Sequence, residues 1–249
     1  MRRKFYCSLI IYVIAIFNLK AQNVPFESWA TGINAGLYGI GIQGATSLSP
    51  NFKIRIGYDY FKFINNDTKE FDINVEYSGY KGSTQAELTE TDIVFPNLKT
   101  LVDYYPVDYG IFCITAGFYI GENRASTNGL VKDYRVLAEF LGENPVLIYE
   151  DIIITPYSDG RFEGRLKVGN LFKPYLGIGL GRTIPRNKVG FKFELGLVYQ
   201  GKYSLTSPNI DNLDDDWLNR FSEDINLNIS EEILNWWPMV NLSLTYRIR

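Results

Sequence analysis

From Val189 to Tyr199 apolar and polar positions alternate. Phe191, Phe193, Leu195, Leu197 and Tyr199 share one parity, and Lys192, Glu194 and Gly196 share the other. Successive side chains on a β-strand point to opposite faces, so this stretch predicts a ribbon with one apolar and one polar face. The pattern recurs. Phe52, Ile54, Ile56, Tyr58 and Tyr60 oppose Lys53, Arg55, Gly57 and Asp59. Leu98, Thr100, Val102 and Tyr104 oppose Lys99 and Asp103, and Phe112, Ile114, Ala116, Phe118 and Ile120 oppose Cys113. Between Tyr175 and Thr183, Leu176, Ile178 and Leu180 alternate with Gly177, Gly179 and Gly181. Glycine on an inner face leaves room for bulky neighbours. From Met239 to Arg249, Val240, Leu242, Leu244, Tyr246 and Ile248 oppose Asn241, Ser243, Thr245, Arg247 and Arg249.

Other stretches depart from this regularity. Gly32 to Leu48 alternates in two phases, Ile33, Ala35 and Leu37 and then Tyr38, Ile40 and Ile42. It is read as one strand with a bulge near Leu37–Gly39, because one inserted residue swaps the faces. Asp72 to Leu88 alternates weakly, as an extension of a strand beyond the membrane. Arg161 to Val168 has an unusually charged face, Arg161, Glu163, Arg165 and Lys167 opposite Phe162, Leu166 and Val168. Gly121 to Gly160 is long and irregular, and such segments are usually functional or mobile. Between Ile210 and Trp236 the apolar step lengthens to three and four. Ile210, Leu213, Trp217, Phe221, Ile225, Ile229 and Ile233 predict an amphipathic helix.

The pattern implies an all-β chain. No stretch beyond the N-terminal region is apolar and long enough for a transmembrane helix. A sheet that enters lipid must close, since an open edge leaves backbone groups unpaired. The expected fold is a closed antiparallel transmembrane β-barrel of about eight strands, or ten if Gly121–Gly160 hides another pair. One amphipathic helix precedes the last strand. With eight strands and both termini on one side, Gly121–Gly160 falls on the side of the termini. That conflicts with the usual short turns there.

Composition sharpens this. The chain has 249 residues, 15% of them aromatic, with 18 Tyr and 16 Phe, which suits the aromatic girdles of a membrane barrel. Residues 1–21 predict a cleaved export signal: Arg2, Arg3 and Lys4, then the apolar run Ser8 to Phe17, then Leu19-Lys20-Ala21. Residues 22–249 form the barrel domain. The signal holds four basic and no acidic residues, so the formal charge of −3 becomes −7 in the mature chain. An acidic chain without a basic block is a poor nucleic-acid partner. Cys113 is the one cysteine left, so no intrachain disulfide forms.

The chain contains no histidine. That excludes Ser–His and Asp–His arrangements and argues against zinc. No enzyme activity, metal or cofactor is expected. Glu163 and Glu194 make a carboxylate pair conceivable, but ion pairing with neighbouring cations is the plainer reading. Lys53, Arg55, Asp59, Asp103, Arg161, Glu163, Arg165, Lys167, Lys192, Glu194 and Arg247 are expected to share a narrow lumen. Eight strands leave an interior just filled by side chains, and buried charges must pair. A cross-lumen ion-pair network is therefore preferred over a charged constriction for ions. Asp211, Asp214, Asp215 and Asp216 fail as a calcium loop, because Asp216 and Ser222 stand where Gly and Glu are needed. The helix stripe Leu213, Trp217, Phe221 and Ile225 is expected to pack on a barrel end.

Leu101-Val102-Asp103-Tyr104-Tyr105-Pro106, then Lys173 to Gly181, then Leu195 to Gly201, then Trp237-Pro238 before a strand ending Tyr246-Arg247, carry a resemblance. In this order they resemble a family of small, poorly characterised outer-membrane β-barrel proteins of Gram-negative bacteria, over roughly Gly32 to Arg249. The family's usual terminal aromatic is replaced by Arg249. The resemblance implies an outer-membrane location, contact with lipid and lipopolysaccharide, and assembly by the barrel-assembly machinery. It carries over no catalytic residue and no ligand. The expected role is structural or surface-interacting and non-enzymatic, with a narrow porin or small-molecule-binding barrel as the alternative.

Overall fold

The structure, a computed structural model, describes residues 25–77, 80–141, 145–149, 152–211 and 235–249. The export signal and the stripe Leu213, Trp217, Phe221 and Ile225 lie outside the described residues. In chain order the strands are β1 (Trp29–Gly36), β2 (Gly39–Ser47), β3 (Phe52–Asn65), β4 (Lys69–Tyr77), β5 (Tyr80–Tyr104), β6 (Phe112–Ile120) and β7 (Arg124–Val131). The helix α1 (Tyr134–Leu141) follows. Then come β8 (Val146–Tyr149), β9 (Ile152–Ile154), β10 (Arg161–Lys167), β11 (Phe172–Gly181), β12 (Val189–Tyr199), β13 (Ser204–Thr206), β14 (Ile210–Asp211) and β15 (Trp236–Arg247).

Eight of these close a ring. Antiparallel ladders run β1–β2–β3–β5–β6–β11–β12–β15, and β15 pairs back onto β1. On β12 the apolar parity is exposed while Lys192, Glu194 and Val198 are buried. β11 and β15 alternate the same way. The outward face is thus a band of Leu, Ile and Phe, edged by aromatic pairs. Phe52 meets Tyr104 at one edge, and Phe118–Phe172 and Tyr199–Trp236 meet at the other. Rings at both margins of an apolar band mark the two membrane interfaces.

The membership of the ring corrects the sequence reading twice. Gly32–Leu48 is a hairpin, not a bulged strand: the phase change at Leu37–Gly39 is a two-residue turn, with Gly36 paired to Gly39. Gly39 has φ +93°, and a Cβ there would lie 2.1 Å from the Tyr60 carbonyl oxygen, so glycine is required. Arg161–Lys167, in turn, belongs to β10, which pairs with β7 and β13 and stands outside the ring. One strand gained and one lost leave the count at eight. The conflict over loop placement also disappears. Residues 48–51, 105–111 and 182–188, with residues 25–28 and 248–249, lie at one end, and the described residues of 121–171 and 200–235 lie at the other.

The β5 strand, 25 residues long, continues past the ring. Its second half pairs with β3 and β6, and its first half with β4 and β7. A raised sheet results, in the order β13–β10–β7–β5–β4–β8–β9–β14. Its two ends come from one segment, and Asn209 joins them. The Thr155 amide donates to the Asn209 carbonyl (2.7 Å), Asn209 Nδ2 donates to the Thr155 carbonyl (3.0 Å), and the Glu163 amide donates to Asn209 Oδ1 (3.0 Å). Within this upper tier Ile73, Val75, Ala86, Val131, Tyr134, Leu147, Ile154 and Phe162 form an apolar core. The helix α1, within the stretch read as irregular, supplies Tyr134, whose hydroxyl donates to the Pro145 carbonyl (3.1 Å). Ile210 and Asp211 are strand, paired with Ile154 and Ile153, and Trp236 opens β15. None of these three belongs to a helix, where the apolar spacing predicts one from Ile210 to Trp236.

Candidate functional site: the filled interior

The inward parity of the ring strands brings six charged groups together. Asp103 of β5 is the hub. Arg55 Nε lies 2.9 Å from Asp103 Oδ2, and Arg55 Nη2 donates to Asp103 Oδ1 (2.9 Å) and Glu194 Oε2 (2.6 Å). Lys192 Nζ reaches Asp103 Oδ1 (2.8 Å) and Glu194 Oε2 (2.7 Å). Thr115 Oγ1 donates to Asp103 Oδ1 (2.6 Å), the Thr183 hydroxyl donates to Asp103 Oδ2, and the Tyr175 hydroxyl donates to Glu194 Oε1 (2.7 Å). A second pair stands beside this cluster. Lys99 Nζ lies 2.8 Å from Asp59 Oδ1, which also accepts from Asn34 Nδ2 (2.8 Å). Three cations face three carboxylates, and all six side chains are at most 2% exposed. Charges so far from water are stabilised by pairing and hydrogen bonds, and each of these three cations has a carboxylate oxygen within 2.8 Å.

Above the charges lies an aromatic layer. Tyr119 packs edge-on to Tyr38 (centroids 5.3 Å) and to Tyr175 (5.6 Å), and Phe95 packs against Tyr38 and Trp237. Tyr38 reaches it from the β1–β2 turn. The inner-face glycines make the room: a Cβ at Gly196 would lie 2.5 Å from the Tyr175 ring, and one at Gly177 would lie 2.4 Å from its hydroxyl. Above this again, Lys173 Nζ donates to Asn97 Oδ1 (3.0 Å) and to the Gly121 carbonyl, and Asn97 Nδ2 donates to Asn123 Oδ1 (2.8 Å). Gly196→Ala should push Tyr175 off Glu194 and cost about 1–3 kcal/mol, as overpacking does. The urea midpoint of the refolded protein reads this. Gly44→Ala, where a Cβ meets nothing within 4 Å, is the control and should be near neutral.

Of the eleven lumen candidates, Arg55, Asp59, Asp103, Lys192 and Glu194 meet in this network. Lys53 and Arg247 sit at the mouth near the termini, where Lys53 Nζ donates to the Ser49 carbonyl (2.8 Å). Arg161, Glu163, Arg165 and Lys167 do not enter the lumen. They ride on β10 in the raised sheet, where Phe162 points inward and Arg161 pairs with Asp159 at the surface (2.6 Å). Lys99, Thr115, Tyr175 and Thr183 were missed as members. Lys99 was legible, because it shares the parity of Asp103 four residues on.

No family model and no curated protein matches the chain. Among solved structures, Acinetobacter baumannii CarO2 has a TM-score of 0.50 at 17% identity, over 90% of this chain and 100% of that one. The fold is that of an outer-membrane β-barrel. Acinetobacter baumannii CarO aligns at a TM-score of 0.48 and 17% identity, over 91% of this chain and 99% of its own. A major outer membrane protein from Thermus thermophilus aligns at 0.36 and 15%, over 88% and 99%. At these identities the likeness concerns the fold alone.

Proposed function

We propose that this is a non-enzymatic outer-membrane barrel of a Gram-negative envelope, closed to solutes, which carries a raised sheet for surface interaction. The observation behind this reading is the filled interior. The hydrogen-bonded charges and the aromatic layer above them are stacked across one narrow ring, so an ion would have to break buried pairs to pass. Barrels of about eight strands are narrow enough for side chains alone to fill them. A chain without histidine also lacks the commonest general base.

Orientation follows from the connections. The end with short turns and both termini faces the periplasm, and the raised sheet faces out. Lipid and lipopolysaccharide cover the apolar band, and assembly runs through the barrel-assembly machinery. The outer tier offers α1 to water, with Val136 and Phe140 67% and 78% exposed. Apolar side chains held there suit a partner surface.

Planar-bilayer recording tests the closed lumen. The refolded protein should insert and give no steady conductance steps. Steady steps that fall with Glu194→Ala would overturn the reading and favour a narrow porin.

A further inference from the structure

At the end carrying the termini, the lumen opens into a basic mouth. Inward-facing Lys53 of β3 and Arg247 of β15 join Arg182 and Arg186 of the β11–β12 turn around a cleft of about 320 Å3. That volume lies in the range of small-molecule sites. One carboxylate is on its wall, Asp108, which accepts from Asn51 Nδ2 (3.1 Å). None of the four cations makes an ion pair among the described residues. Lys53 is held by the Ser49 carbonyl, and Arg247 Nη1 donates to the Arg186 carbonyl (3.3 Å). The Arg186 guanidinium lies over the Tyr109 ring, 4.7 Å from its centroid. Arg182 Nη2 is buried and meets no acceptor among the described residues.

Such an arrangement is unfavourable as it stands. Four cations gathered around a single carboxylate, with none of them paired to it, repel one another, and a buried guanidinium N–H without an acceptor loses its hydration for nothing. An anion entering the cleft would relieve both. Three guanidinium forks and an ammonium match the several oxygens of a phosphoryl group better than the two of one carboxylate. The way inward is closed: Ile184 on the cleft wall and Tyr105 beside it are buried, and the Tyr105 hydroxyl accepts from the Thr183 amide (2.8 Å) on the mouth side of Asp103. A bound anion is therefore held at the mouth and not passed along the lumen.

We infer that this mouth is a binding site for a phosphate-bearing anion. The phosphoryl group has two possible sources, a dissolved phosphate ester or a phospholipid headgroup reaching over the rim. Calorimetric titration of the full chain, refolded in an uncharged detergent, separates them. Glycerol 3-phosphate is the soluble probe, and short-chain phosphatidylglycerol added to the micelles is the lipid probe. Saturable binding of glycerol 3-phosphate assigns the dissolved ester. Saturable binding of the lipid alone assigns the headgroup. In either case R182Q/R186Q should weaken binding by about tenfold or more, since it removes two charge-assisted contacts. Arg247→Gln, on another strand, should weaken it in the same direction and guards against a folding defect in the double variant. Heat-modifiable gel mobility checks that each variant is folded. No saturable binding of either probe, or binding that survives both substitutions in folded protein, overturns the inference.

Discussion

Asp103→Ala is expected to cost the barrel about 3–5 kcal/mol, the usual cost of stripping one partner from a buried ion pair. The side chain is fully buried and takes bonds from Arg55, Lys192, Thr115 and Thr183 at once. Without it two cations share Glu194 alone, and a net positive charge is stranded inside the ring. Water that could solvate it is kept out by the layers above and below. The urea midpoint of protein refolded in detergent, followed by tryptophan fluorescence and by the gel shift of the heated band, should fall sharply. Asp108→Ala at the exposed mouth should leave the midpoint nearly unchanged. Adding Lys192→Met to Asp103→Ala restores neutrality, with Arg55 on Glu194, and should recover part of the loss. If Asp103→Ala behaves like Asp108→Ala, the charges are not held as a closed network.

Much of the ring was legible because alternation with period two is a strong local signal wherever a strand separates lipid from a polar interior. Phe191 to Tyr199 and Ile54 to Tyr60 were assigned their faces by parity alone, and the structure has the same apolar faces outward. What parity cannot give is which face is outside. In the ring the apolar side chains point out and the polar ones in. In the raised sheet, surrounded by water, the relation inverts, and Phe162 turns in while Arg161, Glu163 and Arg165 turn out. The charged face of β10 looked like lumen for that reason. Parity also cannot tell a bulge from a two-residue turn when both flanks alternate, so β1 and β2 were fused. The raised tier was illegible for a third reason. Its short strands β8, β9, β13 and β14 are held by pairing with distant segments, such as Ile210 with Ile154, and two to four residues carry no period of their own.

The tier boundary leads to the second large effect. Phe162→Ala should remove roughly 3–5 kcal/mol from the raised sheet, as expected for truncating a buried aromatic. Phe162 lies over the bare backbone of Gly129 on β7, and a Cβ there would be 2.1 Å from its ring. Its ring therefore occupies the space that a side chain at residue 129 would take. The loss should stay local. The apolar core around Phe162 and the aromatic layer around Tyr119 and Tyr175 are separate clusters. At their boundary polar Asn97, Asn123, Gln200 and Lys173 are joined by hydrogen bonds, and Leu166 and Ile93 of the raised sheet are partly buried apolar side chains that pack on the ring's cluster. Segments with few shared buried contacts open independently of the global transition. Limited proteolysis of the refolded protein should then cut the Phe162→Ala variant within residues 121–171 far faster than the wild type. The heat-modifiable shift of the uncut ring should persist. Because β5 runs unbroken through both tiers, the opposite result is physically available. If the ring loses its gel shift in step with the cutting, the two tiers fold as one cooperative unit, and the polar layer transmits strain instead of insulating the ring from it.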